Sequence, residues 1–291
     1  VSAALRRSDE ALRSLLLSVA RADPRVRAVI LNGSRANPHA TPDAFQDWDV
    51  VYVVDSLEPY LADPHWVDCF GERLIMQLPD AMGVPADALH PQQFAWLMLL
   101  SDGHRIDLTL VARDALALLS REPYEQVLLD PDGLVPPAPP ASPYAQPPTE
   151  AAYRDCCNEF WWVAPYVVKA VWRDQPTYAQ THLAIVRDQL LQLCDWWLVL
   201  TSGGARAAGK HGRDLGRWLP EPLWHAVCAS YAPADGAALW QALETLMAAF
   251  DGLARDVAQR AGFAYPHDDA TRVWQYVRRQ RAAWERATSQ P

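Results

Sequence analysis

The chain has 291 residues, half of them apolar, with thirteen tryptophans and a formal net charge of −9, a length that suits two modest domains or one large one. The acidic balance argues against tight, sequence-independent binding of nucleic acid, which needs a basic surface, and it suits a cationic small substrate drawn to an acidic cleft. No apolar run approaches the roughly eighteen residues of a membrane span, and five cysteines without a CxxC pair, two of them adjacent at Cys156 and Cys157, indicate neither a zinc site nor a disulfide framework.

The opening residues, V-S-A-A-L-R-R-S-D-E, lack the apolar core of a signal peptide, which predicts a cytoplasmic address. Ser8 or Asp9 caps a first helix to about Ala20, in which Leu12, Leu15, Leu16 and Val19 recur at three- and four-residue steps, and Asp23-Pro24 ends it. Val26 to Leu31 reads as a strand, Gly33-Ser34-Arg35 as a small-residue turn, and Val50 to Val54 as a second strand entered through Asp47-Trp48-Asp49. Residues two apart on a strand share a face, so Asp47 and Asp49 aim both carboxylates at one spot. Two ionised carboxylates that close repel unless a cation sits between them, and Mg²⁺ takes oxygen ligands while sharing its remaining positions with phosphate. Gly33 lets the backbone approach a ligand, and successive N–H groups after it can cradle phosphate oxygens. The stretch describes a site for a nucleoside triphosphate and a metal. Arg35 has two readings. Its place directly after Gly-Ser favours a fork of donors for phosphate; the other reading is a partner for a surface carboxylate.

Further on, His65 to Phe70 predicts a short helix ended by Gly71, Leu74 to Leu78 a strand, Pro79 to Pro91 a turn-rich segment, and Phe94 to Leu100 an apolar strand. Ser101-Asp102-Gly103-His104 carries a hairpin signal, and Arg105 to Val111 returns as the partner strand. Asp107 interrupts that strand. It belongs either to a half-exposed polar face with Arg105 and Thr109, or beside Asp47 and Asp49 on a neighbouring strand as the third acid of a metal cage. Val111 to Leu119 reads as helix. Between Asp130 and Pro148 proline is too frequent for helix or central strand, and an extended connector is expected.

The remainder is helical by pattern. Thr149 caps a helix with Glu150 in its first turn, running to about Asp174. Cys157, Phe160, Trp161, Ala164, Val168 and Val171 form its apolar stripe, while Asp155, Glu159, Trp162, Tyr166 and Lys169 form a polar-aromatic one. The second stripe is either a solvated face or the wall of a cleft, in which Glu159 contacts a cationic acceptor or serves as base, Tyr166 stacks on a ring and Lys169 holds phosphate. Pro165 removes one backbone hydrogen bond and should kink this helix. Ala179 to Ser202 forms another helix ended by Gly203-Gly204, on which His182 and Asp188 read as structural or surface residues. Gly209-Lys210-His211-Gly212-Arg213 is a basic loop, read as mobile or as a second phosphate contact through Lys210. Trp224 to Ala232, Asp235 to Ala261 and a segment from near Asp268 complete the helices.

G-S-R-A-N at 33–37 with F-Q-D-W-D at 45–49, D-C-C-N-E-F-W from Asp155 to Trp161, and Y-V-V-K from Tyr166 to Lys169 resemble the aminoglycoside (streptomycin) 6-adenylyltransferases, a branch of the polymerase-β-like nucleotidyltransferases. The likeness runs over nearly the whole chain. It implies an α+β chain: a nucleotidyltransferase domain over 1–135 with a mixed sheet flanked by helices, a Pro-rich linker over 136–148, and an all-α bundle over 149–291, with the active cleft between the two lobes. It implies transfer of AMP from ATP to the 6-hydroxyl of streptomycin, with two Mg²⁺ ions, release of pyrophosphate, and antibiotic resistance as the consequence. Asp47, Asp49 and Asp107 are then the catalytic metal ligands. Gly33, Ser34, Arg35, Lys169 and Lys210 hold the nucleotide, and Glu159, Tyr166 and Asp155 the guanidinium-bearing acceptor. The resemblance supports the cage role of Asp107 and leaves open whether Asp107 or Glu159 is the base. No nucleic-acid or membrane partner is expected, and the protein is expected to be a monomer or a weak homodimer.

Overall fold

The structure, a computed structural model, describes residues 6–85, 91–139 and 146–289. The expected connector over 136–148 therefore includes six residues, 140–145, that lie outside the described residues, as do 86–90 of the turn-rich segment. The chain divides into two compact units, Val1–Ser142 and Pro143–Pro291.

In the first unit, the Ser8 hydroxyl accepts from the Ala11 N–H at 3.1 Å and starts helix α1, Asp9–Ala22. Its Leu12, Leu16 and Ala20, spaced by four, are buried against a sheet. The sheet and its short helices follow in the order β1 (Val26–Leu31), α2 (Gly33–Ala36), β2 (Trp48–Val54), α3 (Glu58–Ala62), β3 (Arg73–Gln77), β4 (Gln93–Leu100), β5 (Arg105–Ala112) and β6 (Gln126–Leu129). Spatially the strands run β3-β4-β5-β2-β1-β6. Among the described strands β2 and β5 pair in parallel and the other neighbours are antiparallel, so the sheet is mixed. Strand alternation divides the core. Val29, Val50, Tyr52, Leu108 and Leu110 join α1 on one face, and Ala28, Ile30, Val51, Val53 and Val111 pack with Ala115 and Leu116 on the other.

Local differences from expectation are small. Gly33-Ser34-Arg35 closes into the one-turn helix α2 instead of an open turn, and the segment expected as helix over 111–119 forms a 3₁₀ helix, Arg113–Leu118. Strand β6 carries no alternating pattern in its sequence; it is a four-residue edge strand recruited by β1.

The second unit is helical: α4 (Glu150–Trp172), α5 (Pro176–Ser202), α6 (Leu215–Trp218), α7 (Glu221–Ala229), α8 (Gly236–Ala261) and α9 (His267–Thr288). Thr149 caps α4 by accepting from Ala152 N–H at 3.1 Å, Asp235 caps α8 from Ala238 N–H at 3.0 Å, and Gly262, at φ +75°, ends α8 in the left-handed region. The expected apolar stripe of α4 is buried throughout, with Phe160 stacked on Phe250 at 3.6 Å and the Tyr153 hydroxyl donating to Ala254 O at 2.8 Å. Helix α4 continues through Pro165 to Trp172. Among the described residues, no helix is long and apolar enough to cross a membrane.

Candidate active site

The parallel register of β2 and β5 sets Asp49 directly against Asp107. By alternation both share the sheet face of Val51, Val53 and Val111, opposite α1, and Asp47 lies one residue before β2. Strand β5 lies inside the sheet between β4 and β2, so Asp107 is not on a sheet edge; it stands beside Asp49, with Arg105 at the same end of its strand. At the same place Asn32 N–H donates to Asp49 O at 2.8 Å, which lays the turn after β1 on the start of β2. Gly33 follows with φ +68°, and a Cβ there would collide with the Asp49 carboxylate, so the position requires glycine for both its backbone angle and its space.

Electrostatically these acids are poorly compensated. Burial raises the Asp49 carboxyl to about 6, and the charges of Asp107, Asp47 and Glu122 push in the same direction against Arg105. Asp47 is also raised, by burial first, with Asp107 adding to the effect and Arg105 and Arg35 opposing it. Arg105 supplies the local cation: Nε donates to Asp107 Oδ1 at 2.7 Å, Nη2 to Asp107 Oδ2 at 2.8 Å, and Nε stands 3.8 Å from Asp47 Oδ2. Among the described residues, no three His, Cys, Asp or Glu side chains stand as a ready-made metal cage, and Asp107 is turned onto Arg105. The donor set nevertheless fits a hard divalent cation. It is all oxygen, its mutual repulsion is what a cation relieves, and the glycine beside it leaves a cradle that any Cβ would fill.

Two further residues complete the geometry, and nothing in their sequence spacing marks them. The Gly33 N–H donates to Glu122 Oε2 at 3.0 Å, so a carboxylate oxygen occupies the donor expected to meet a phosphate oxygen. Glu122 is set there by the next turn, where Arg121 Nε donates to Glu125 Oε2 at 2.7 Å and Arg121 Nη2 to Pro136 O at 2.9 Å. Asp9 is the other. Arg35 Nη1 donates to Asp9 Oδ2 at 2.8 Å, and Arg35 lies 4.3 Å over the Trp48 ring. Of the two readings of Arg35, the structure shows the ion pair. The expected free fork for phosphate is not displayed, because Nε, Nη1 and Nη2 each already have an oxygen acceptor.

The remaining predicted residues belong to the second unit. On α4, Glu159 is exposed and makes no hydrogen bond or ion pair among the described residues, while Asp155, also exposed, lies 3.5 Å from its neighbour Arg154. Lys169 Nζ sits 4.3 Å over the Tyr166 ring, which stacks on His182 at 5.2 Å, and among the described residues Lys169 has no carboxylate partner. It is a cation held by an aromatic face, with its charge uncommitted. The expected basic loop forms a short 3₁₀ helix, Lys210–Gly212, on which Lys210 is exposed; it is anchored by Ala208 N–H on Asp195 at 2.9 Å and Asp214 N–H on Ala208 O at 2.8 Å.

The family model described as streptomycin adenylyltransferase matches residues 6–280. The chain is similar to an aminoglycoside 6-adenylyltransferase of Campylobacter jejuni, 34% identical over 281 residues that cover 94% of this chain and 96% of the relative. It is similar to an enzyme of the same name from Bacillus subtilis, 33% identical over 271 residues covering 90% and 94%. Among solved structures it is similar to the crystal structure of an aminoglycoside 6-adenyltransferase from Bacillus subtilis, at 29% identity and TM-score 0.45, with 94% of this chain and 98% of that chain covered.

Proposed function

This chain belongs to the streptomycin adenylyltransferase family, and on that premise we propose that it transfers AMP from ATP to a hydroxyl of an aminoglycoside, streptomycin at its 6-hydroxyl, releasing pyrophosphate and inactivating the antibiotic. The observation that carries the reading is the in-register pair Asp49–Asp107 beside Asp47 and the Gly33 cradle. The acceptor oxygen attacks the α-phosphorus in line, the new P–O bond forms as the bond to pyrophosphate breaks, and the hydroxyl proton passes to a carboxylate, Asp107 or Glu159. Asp47, Asp49 and Asp107 would hold Mg²⁺, which supplies charge neutralisation at the phosphates and a lowered hydroxyl pKa. Gly33 and Ser34 take phosphate oxygens through backbone and hydroxyl donors, a role supported by the carboxylate oxygen that the Gly33 N–H already holds. Lys169 and Lys210 are assigned to the nucleotide, and Glu159, Asp155 and Tyr166 to the acceptor, as the family's strings suggest. Carboxylates and aromatic faces suit the guanidinium groups of streptomycin. With ATP as co-substrate the enzyme acts in the cytoplasm, as a monomer or weak homodimer.

Mass spectrometry of streptomycin after incubation with the protein, ATP and Mg²⁺ tests this. A mass gain of one adenylyl group, absent without Mg²⁺, is the expected result. An unmodified antibiotic in that assay and across a panel of other aminoglycosides defeats the assignment.

A further inference from the structure

The segment before α1 does more than begin a helix. Arg6 donates to Gly103 O at 3.0 Å and to Ala44 O at 2.6 Å, and Arg7 to Asp102 at 2.6 Å and Phe70 O at 2.8 Å. Asp9 follows. Its carboxylate takes Arg35 Nη1 at 2.8 Å and stands 3.4 Å from Nε2 of the buried His104. Arg35 in turn spends its other donors on the run that leads into β2: Nη2 to Gln46 O at 2.9 Å and Nε to Asp47 O at 3.1 Å, with the guanidinium over Trp48. One guanidinium therefore grips residues 46, 47 and 48 in succession, and its side chain is only 8% exposed. Asp47 lies outside the strand ladder, so β2 pairing does not fix its backbone. Arg35 does.

We infer that Arg35 is a positioning residue for Asp47, anchored from behind by Asp9, and not a phosphate ligand. The inference rests on the reading of Asp47 as part of the transfer site. A planar fork suits this role because it holds two carbonyls and a carboxylate at fixed angles, which a lysine's point charge does not. A misplacement of about 1 Å in a group that must meet reacting atoms can cost on the order of 100-fold in rate. A residue of this kind acts on turnover and leaves nucleotide affinity in place, whereas losing a ligand that binds the ground-state phosphates raises KM for ATP.

Steady-state adenylyl transfer from ATP to streptomycin, for wild type, Arg35→Ala and Asp9→Asn, separates the two. Arg35→Ala should lower kcat by roughly 10–100-fold with KM for ATP within about twofold, and guanidinium ion in the buffer should restore part of the loss. Asp9→Asn keeps its shape, touches no proposed substrate group, and should lower kcat by about threefold or more, again at constant KM. A raised KM for ATP with kcat retained in Arg35→Ala makes Arg35 a phosphate ligand and overturns the inference. If Arg35→Ala does not fold, Asp9→Asn decides alone, and wild-type kcat in that variant overturns the inference. A wild-type chain that transfers no AMP to streptomycin or another aminoglycoside overturns the functional reading and this inference with it.

Discussion

The two ends of the β1–β2 pair handle a carboxylate in opposite ways. The strands run antiparallel, with Val26 opposite Val54 at one end and Leu31 opposite Val50 at the other. Just before the first end, Asp23 accepts from Arg25 Nη2 at 2.6 Å, Arg25 Nε at 2.8 Å, Arg25 N–H at 3.0 Å and the Tyr60 hydroxyl at 2.8 Å. The Arg25 hydrogen bond, working against burial, holds its carboxyl down at about 2. At the other end Asp49 is buried among Asp107, Asp47 and Glu122 and is pushed up to about 6. Both acids meet burial; only one has donors that repay it. The difference separates an acid that the fold compensates from one that it leaves uncompensated, as the proposed metal-binding role of Asp49 requires.

The largest effect that can break this comparison is on turnover. Asp49→Asn should lower adenylyl transfer at least about 10³-fold, on the order of 4 kcal/mol of transition-state stabilisation, while Asp23→Asn leaves kcat near wild type. Initial rates with saturating ATP and streptomycin measure both. An Asp49→Asn enzyme that retains substantial turnover removes the reason for treating the two ends differently.

Stability should respond in the opposite order. Asp23→Asn loses a charge-assisted set of hydrogen bonds and should cost about 1–2 kcal/mol at pH 7, read as a lower urea midpoint. The pH dependence has opposite signs at the two ends. The Asp23 carboxyl is depressed below its usual 3.8, so its contribution is present above that value and lost as pH falls through about 2. Asp49 is raised from 3.8 to about 6, so its contribution is complete below pH 3.8 and lost as pH rises through about 6. Without divalent cation, Asp49→Asn should therefore be more stable than wild type at pH 8, by about 1 kcal/mol once solvent screening is allowed for, and no more stable at pH 3.5. Mg²⁺ at about ten times its dissociation constant should add about 1.4 kcal/mol to wild type at pH 8, less at pH 5 where the proton competes, and nothing to Asp49→Asn. Thermal melts with and without Mg²⁺ at the two pH values check the signs, and equal Mg²⁺ stabilisation of wild type and Asp49→Asn would remove Asp49 from the metal's ligands.

These contrasts were legible in the sequence where the signal is local. Val29 to Val54 displays its two apolar runs and the intervening Gly-Ser and Asp-x-Asp, and Asp107 declares itself by interrupting an apolar strand. The α4 stripe from Cys157 to Val171 reads directly as a buried face, and it is one. What was hidden is non-local or weakly patterned. Arg35 finds Asp9, 26 positions away, and no spacing rule chooses between that partner and a phosphate. Strand β6 is short and half-exposed, so β1 defines it more than its own residues do. Glu122 precedes a proline and reads as an ordinary loop acid; only the Arg121–Glu125 pair in the folded chain aims it at Gly33.

Glu122 also yields the smallest expected effect and the finest test of the uncompensated end. Its carboxylate accepts from the N–H assigned to a phosphate oxygen, and its charge adds to the burden on Asp49. If Gly33 takes a phosphate oxygen as proposed, ATP entering that cradle displaces Glu122. The hydrogen bond given up is worth about 0.5–1 kcal/mol net, so Glu122→Ala should lower KM for ATP by about two- to fivefold, with kcat little changed. Glu122→Gln keeps an acceptor for the Gly33 N–H and removes the charge. If most of the gain survives in that variant, repulsion of the triphosphate is the larger cost; if most is lost, competition for the N–H is. An unchanged KM in Glu122→Ala means that nucleotide and Glu122 do not share Gly33. A raised KM would turn Glu122 from an obstacle into part of the binding machinery, and the uncompensated end would then need four acids where the sequence suggested three.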